Sequence, residues 1–169
     1  GLADVLSIHT ALKDWELAEK KGVEEIDSVI YNQATDLLDK VQNFIGNTDV
    51  NHISYEIPTL FQYIGESGHI TNLHGTGRPE SGSEHIFAKV LEKRVDIPHG
   101  VSVSFGILLM SILQDNFSES IAESIQKVGT LKFIGELGIT RKIIEEALEE
   151  LKVRDDRYSI VNEVIMDKN

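Results

Sequence analysis

Apolar residues recur at helical spacing over most of this chain, and that period constrains the fold more than any other feature. The clearest stripe is Ile26, Val29/Ile30, Ala34, Leu37, Val41 and Phe44/Ile45. Steps of three and four residues put these side chains on one face of a helix. The stripe predicts a helix over Glu24–Ile45, stopped by Gly46-Asn47. Ala3–Lys20 repeats the pattern with Val5, Ile8, Leu12 and Trp15, and Lys20-Lys21-Gly22 suits its end. Ser54–Leu73 is less regular: Pro58 fits a first helical turn, and Leu60, Ile64, Ile70 and Leu73 are expected to face the core.

Two further runs, Ser83–Lys93 and His99–Leu113, are separated by the charged break Glu92-Lys93-Arg94 and by Ile97-Pro98. Ser118 is expected to cap Ser118–Val128, with Ile121, Ile125 and Val128 inward. Thr130–Leu137 is short and closed by Gly138. Thr140 is expected to cap Arg141–Lys152, where Ile143, Ile144, Ala147, Leu148 and Leu151 alternate with glutamates. Arg154-Asp155-Asp156-Arg157 breaks the chain, and Tyr158–Met166 is a last short helix or an extended tail. Sustained period-2 alternation bounded by hairpin turns, internal repeats and low-complexity tracts do not occur. The expectation is a single all-α helical bundle over residues 1–169.

Charge and residue usage exclude several function classes. A formal charge of −12 opposes a nucleic-acid footprint and an anionic membrane surface. No apolar run approaches the roughly 20 residues that span a bilayer. Without cysteine, thiolate ligands and thiol nucleophiles are excluded, a reducing cytoplasm is the default compartment, and any metal site must use histidine and carboxylate. The Gly75-Thr-Gly77 segment lacks the spacing and the preceding strand of a dinucleotide fingerprint. No P-loop or His-Glu-x-x-His is present, and Gly82-Ser83-Glu84-His85 lacks the strand–turn–helix context of a nucleophilic serine.

The remaining chemistry centres on the stretch from His74 to Gly106. His85 and His99 stand near the starts of two successive helices, where two imidazoles can meet across one cleft. Imidazole is the commonest ligand for a transition metal, and a carboxylate is the usual third partner. Read singly, Asp4 is more often a first-turn carboxylate complementing a helix dipole than a ligand. His99 alone reads as an ordinary helix-start residue, and His85 alone as a partly buried polar one.

Five segments in order carry a family resemblance. They are Gly1-Leu-Ala-Asp4 with Thr10-Ala-Leu-Lys-Asp-Trp15-Glu-Leu-Ala18, then Gly75–His85 with Phe87, His99-Gly100, Glu136-Leu-Gly138-Ile139, and Arg154-Asp-Asp156-Arg157-Tyr158-Ser-Ile160. Together they resemble the iron- or zinc-dependent alcohol dehydrogenase and dehydroquinate synthase-like superfamily, most closely its sn-glycerol-1-phosphate dehydrogenase branch. The resemblance covers that family's C-terminal helical half alone. With the start at Gly1 rather than methionine, it suggests one domain of a longer protein whose N-terminal nucleotide-binding domain is absent here.

The resemblance implies that Asp4, His85 and His99 are the three protein ligands of one divalent metal, zinc or iron, with the open position taken by the substrate hydroxyl. It implies an NAD(P)-dependent dehydrogenase acting on a polyol or polyol phosphate, such as glycerol-1-phosphate, with the cofactor held by the N-terminal domain of the same protein. The isolated chain is then expected to be inactive, and a homo-oligomer is left open. Arg78, Ser81 and Ser83 are expected either to face a substrate phosphate or to hold the loop by local bonds. Glu84 is expected either to support a ligand histidine or to face solvent. Asp14-Trp15 is expected to pack and to hydrogen-bond a helix end. His9, His52, His69 and His74 match no ligand position and are expected on the surface or in loops.

Departures accompany the match. Lys89 stands where the family usually has another histidine one turn after His85. Val101 stands where glutamate usually follows the His-Gly pair, and Val103-Ser-Phe105-Gly106 replaces the usual Gly-Val-Gly. These leave open a non-catalytic helical metal-binding or interaction module. A dehydroquinate synthase-like lyase is a weaker alternative, since Ser81-Gly-Ser-Glu-His85 differs from the Gly-His-Thr-x-Gly-His of that branch.

Overall fold

A computed structural model describes residues 1–49, 56–133 and 136–166. Among the described residues there are helices and connecting turns, and the one ladder contact is an isolated bridge between Arg154 and Arg157. The all-α expectation holds. In order the helices are α1 (Leu2–Leu6), α2 (Ile8–Lys20), α3 (Ser28–Asn47), α4 (Ile57–His74), α5 (Ser83–Glu92), α6 (His99–Leu113), α7 (Glu119–Val128), α8 (Arg141–Glu149) and α9 (Ile160–Met166). A 3-10 turn covers Thr130–Phe133.

Several boundaries differ from the sequence expectation, each for a local reason. The first helix is divided at Ser7, whose Oγ reaches the carbonyl oxygens of Asp4 (2.6 Å) and Glu80 (2.5 Å). α3 starts at Ser28 because the Asp27 carboxylate accepts from Val29 N (3.0 Å) and Ile30 N (3.2 Å), an N-cap that outranks the glutamates before it. Those glutamates serve other elements: Glu24 pairs with Arg78, and the Glu25 carbonyl accepts from Trp15 Nε1. α3 also runs through Gly46-Asn47 to Thr48, whose N–H and Oγ both donate to Phe44 O. The start of the helix expected from Ser54 lies partly outside the described residues. Its end is Gly75, at φ +85°, a left-handed C-terminal cap. Leu73, expected inward, is 56% exposed, and Ile70 and Ser67 are the buried residues of α4. Thr140 Oγ1 caps α8 through Ile143 N at 3.3 Å. Ser118 occupies the N-cap position of α7 without a side-chain bond to that helix's backbone.

Two apolar clusters form, and α5 and α6 contribute to both. Val5, Leu6, Leu12, Trp15, Leu37, Val41 and Ile70 pack with Ala88, Val103 and Ile107 on one side. Phe87, Leu91, Val101 and Met110 pack with Ala147, Leu151 and Val161 on the other. Each large side chain removed from water contributes about 1.5–3 kcal/mol. α6 is therefore apolar all round, and its buried Ser104 and Ser111 donate to carbonyls of their own helix. No helix among the described residues is long and apolar enough to cross a membrane.

α5 and α6 come close together at Gly106. A Cβ built there would lie 2.5 Å from the Glu84 carbonyl oxygen and 3.1 Å from its Cα. Backbone cannot yield as a flexible side chain does, so this glycine sets how near the start of α5 comes to α6. Gly65, inside α4, has open space around its Cβ direction. Gly106→Ala should destabilise the chain by about 1–3 kcal/mol through overpacking, whereas Gly65→Ala should stabilise it by about 0.5–1 kcal/mol. Denaturant unfolding of the two variants measures both signs; equal effects would contradict the close approach.

Candidate metal centre

Three helix starts converge at one point. Asp4 lies in the first turn of α1, His85 in the first turn of α5, and His99 is the first residue of α6. One ligand atom from each lies within 4.8 Å of the others. His85 Nε2 is 3.3 Å and His99 Nε2 is 3.4 Å from the same oxygen, Asp4 Oδ1. The ring centroids are 5.5 Å apart. Donors bound tetrahedrally at about 2.0–2.1 Å from one ion would be spaced by roughly 3.3–3.4 Å. The donor chemistry and the two contacts to Asp4 therefore fit a zinc-like divalent ion, with the third donor pair within 4.8 Å.

The outward nitrogens are also engaged. His85 Nδ1 faces Glu84 Oε1 at 2.8 Å, and His99 Nδ1 faces Glu92 Oε1 at 2.7 Å. A carboxylate on Nδ1 fixes the tautomer and leaves the Nε2 lone pair directed at the shared point. Glu84 does not face solvent. Its side chain is fully buried, Oε1 also accepts from Gly82 N (2.5 Å), and Oε2 accepts from Thr10 Oγ1 (2.7 Å). Glu92 was not legible as a site residue, because in sequence it belongs to a charged break. The available signal was its place just before the turn that leads to His99. Exposure is graded across the trio, at 12% for the His85 side chain, 30% for Asp4 and 49% for His99. The centre thus opens on the His99 side, where a fourth ligand has access.

Electrostatics favour a cation here. Burial alone lowers the His85 pKa, but hydrogen bonds and charge from Asp4 and Glu84 outweigh it and raise the value to about 9. Burial raises the Asp4 pKa, but the His85 contact and the charge of His99 act to lower it. In the metal-free chain, an imidazolium at His85 supplies the positive charge among these carboxylates.

α5 is held in place from α2. Asp14, fully buried, accepts from Ser83 N at 2.6 Å and from Ile160 N at 2.8 Å. One carboxylate thereby caps α5 and α9 together, which is the helix-end role expected of it. Gly82 lies against it: a Cβ there would sit 2.5 Å from Asp14 Oδ2 and 3.0 Å from Ala11 Cα. Trp15 is buried with an edge contact to His74 at 4.8 Å.

The residues expected either near a substrate phosphate or in local bonds all make contacts within the protein. Arg78 is 1% exposed, its Nη2 donating to Asp14 O and pairing with Glu24 Oε2, each at 3.0 Å. Its Nε and Nη1 find no acceptor among the described residues. Ser83 is buried, with Gln114 Nε2 3.4 Å from its Oγ. Ser81 is half-buried, and its carbonyl accepts from Arg157 Nη1. These contacts hold the loop and the start of α5. Of the other histidines, His69 is exposed and His74 contacts Thr76. His9 is half-buried and hydrogen-bonded to Asn116 O at 2.7 Å rather than free on the surface. His52 lies outside the described residues.

Comparison with known proteins gives one consistent family. The NAD(P)+ glycerol-1-phosphate dehydrogenase of Pyrococcus abyssi is 31% identical over 166 residues, covering 95% of this chain and 47% of that protein. That of Methanobrevibacter smithii is 30% identical over 173 residues, covering 96% and 47%. That of Pyrococcus furiosus is 31% identical over 166 residues, covering 95% and 47%. The chain thus spans about half the length of the curated relatives it matches. No protein-family model matches it.

Two measurements follow from this geometry. For the metal-free chain, His85 is raised from an unfolded value of 6.5 to about 9. Its stabilising contribution is therefore complete below pH 6.5 and lost as pH rises through 9. Melting temperature should fall across that window, and His85→Gln should flatten the fall; an unchanged slope would contradict the Asp4–His85–Glu84 arrangement. Second, Glu92→Gln should weaken zinc binding by roughly 10–100-fold, because His99 loses the carboxylate on Nδ1. Calorimetry showing no change would mean that Glu92 does not orient this histidine.

Proposed function

The chain is a relative of the glycerol-1-phosphate dehydrogenases along nearly its whole length, and on that premise we propose that it is the metal- and substrate-binding helical half of an NAD(P)-dependent dehydrogenase acting on a polyol phosphate. The observation that carries this reading is the convergence of Asp4, His85 and His99 on one point with fitting donor spacing. A divalent ion held there would act as a Lewis acid toward an alcohol or carbonyl oxygen. Zinc and iron(II) both suit this two-histidine, one-carboxylate set.

The chain's own residues prepare that chemistry. Glu84 and Glu92 keep both imidazoles turned inward, so that two neutral nitrogens and a single carboxylate oxygen face the ion. One anionic ligand leaves a bound dication with net positive charge, which an oxygen developing negative charge requires. The buried carboxylates Asp14 and Glu84 lock the start of α5, which keeps His85 in register with Asp4. The accessible side at His99 admits the reacting oxygen. In this reading the nicotinamide cofactor is held by the part of the relatives' length that this chain does not span. The substrate pair is glycerol-1-phosphate and dihydroxyacetone phosphate.

His85→Ala removes a direct donor, so zinc affinity measured by calorimetry should fall more than the roughly 100-fold upper range for losing a supporting group. His69→Ala, on the exposed face of α4, should bind as the wild type does. In a full-length protein carrying both halves, His85→Ala should also abolish NAD(P)H oxidation by dihydroxyacetone phosphate. Equal zinc affinity in His85→Ala and wild type would refute the site; retained affinity loss without any dehydrogenase activity in the wild type would refute the reaction alone.

A further inference from the structure

Both histidines of the metal centre are backed by the same order of groups: a hydroxyl, a carboxylate, then the imidazole. Behind His85, Thr10 Oγ1 donates to Glu84 Oε2 at 2.7 Å, and Glu84 Oε1 lies 2.8 Å from His85 Nδ1. Behind His99, Ser102 Oγ donates to Glu92 Oε1, the same oxygen that lies 2.7 Å from His99 Nδ1. The two hydroxyls come from different helices, Thr10 from α2 and Ser102 from α6. The settings differ as well. Glu84 is fully buried, whereas the Glu92 and His99 side chains are 28% and 49% exposed.

An exposed carboxylate–imidazole contact is weak by itself, because water competes for both partners and ordering the side chains costs entropy. Glu92 is disfavoured further as the last residue of α5, where the helix dipole repels an anion. Left alone, its carboxylate would turn into solvent and the His99 ring would be free to rotate. Ser102 removes that freedom. It is fully buried and stands one turn after His99 in α6, so hydroxyl and imidazole keep a fixed relation on one helix face. Ser102 Oγ also lies 2.8 Å from His99 O. A hydroxyl has one proton to donate, and the charged carboxylate is the stronger acceptor. Glu92 is thereby drawn from the end of α5 to the first turns of α6, where the dipole of that helix favours an anion.

We propose that Ser102 is a positioning residue of the metal centre. Its buried hydroxyl anchors Glu92 Oε1, and the anchored carboxylate holds the proton of His99 on Nδ1 and keeps Nε2 turned toward Asp4. The most exposed of the three ligands thus takes its orientation from a residue that touches neither metal nor substrate. The effect on zinc rests on the reading of Asp4, His85 and His99 as ligands; the orientation of the imidazole is a property of the metal-free chain.

Long-range proton–nitrogen correlation spectra of the metal-free chain show which imidazole nitrogen carries the proton, and so test the role of Ser102 without metal. Neutral His99 should be protonated at Nδ1 in the wild type. Ser102→Ala should convert it to a mixture with the Nε2-protonated tautomer and leave His85 unchanged, since Thr10 and Glu84 are untouched. Calorimetry should show zinc binding weakened about tenfold in the same variant. Glu92→Ala removes the intermediary, so adding Ser102→Ala to it should cost no further affinity, whereas independent roles would add. The proposal is overturned if His99 keeps the same tautomer in wild type and Ser102→Ala, or if the double variant shows the product of the two single losses. A wild-type chain that binds no zinc refutes the metal centre alone, and the tautomer of His99 then still decides the role of Ser102.

Discussion

The Asp14 carboxylate is the interaction on which the arrangement of the site depends. It is buried, and its two oxygens take the first free N–H groups of two helices, Ser83 on α5 and Ile160 on α9. Burial first, and then the nearby Glu84 charge, push its pKa up to about 6, while the N–H donors act in the opposite sense. Helix starts leave N–H groups without partners, and an anion there is doubly favoured by hydrogen bonding and by the helix dipole. Because Asp14 belongs to α2, and α2 is separated from α1 by Ser7 alone, this bond ties the start of α5 to the helix that carries Asp4. The meeting of His85 with Asp4 follows from that tie and from the close approach of Gly106 to Glu84.

Charge supplies the second constraint. Asp4, Glu84 and Glu92 surround two imidazoles, and Glu84 has no solvent to screen it. A buried carboxylate is stable only with strong donors or a cation beside it. Gly82 N and Thr10 Oγ1 supply donors to Glu84, and an imidazolium at His85 supplies positive charge in the metal-free chain. A divalent ion would replace that proton while keeping both Nδ1 contacts. The same framework therefore serves the metal-free and the metal-bound chain, which is what a preformed site requires.

Much of this was legible from the amino-acid sequence, and the exceptions have physical reasons. The stripe from Ile26 to Ile45 identified α3, but its start was misplaced because Asp27 caps the helix three residues after Glu24. Leu73 was expected inward on spacing alone, yet it falls in the last turn before Gly75, beyond the packed part of α4. The trio was named through a family resemblance, and the folded chain brings its donor atoms to within 4.8 Å. Glu92 escaped notice because its partnership with His99 exists only once the chain turns between α5 and α6. Arg78 and Ser83 sit in a Gly/Ser-rich segment that reads as exposed, and only folding shows them buried against Asp14 and Gln114.

The most direct test is to locate the metal. Crystals of the zinc-loaded chain, measured on both sides of the zinc absorption edge, should show one anomalous peak bonded to an Asp4 carboxylate oxygen, His85 Nε2 and His99 Nε2, at about 2.0–2.2 Å from each. The Nδ1 atoms should still face Glu84 and Glu92. A peak at other residues, or zinc bound without one of these three donors, would contradict the central claim.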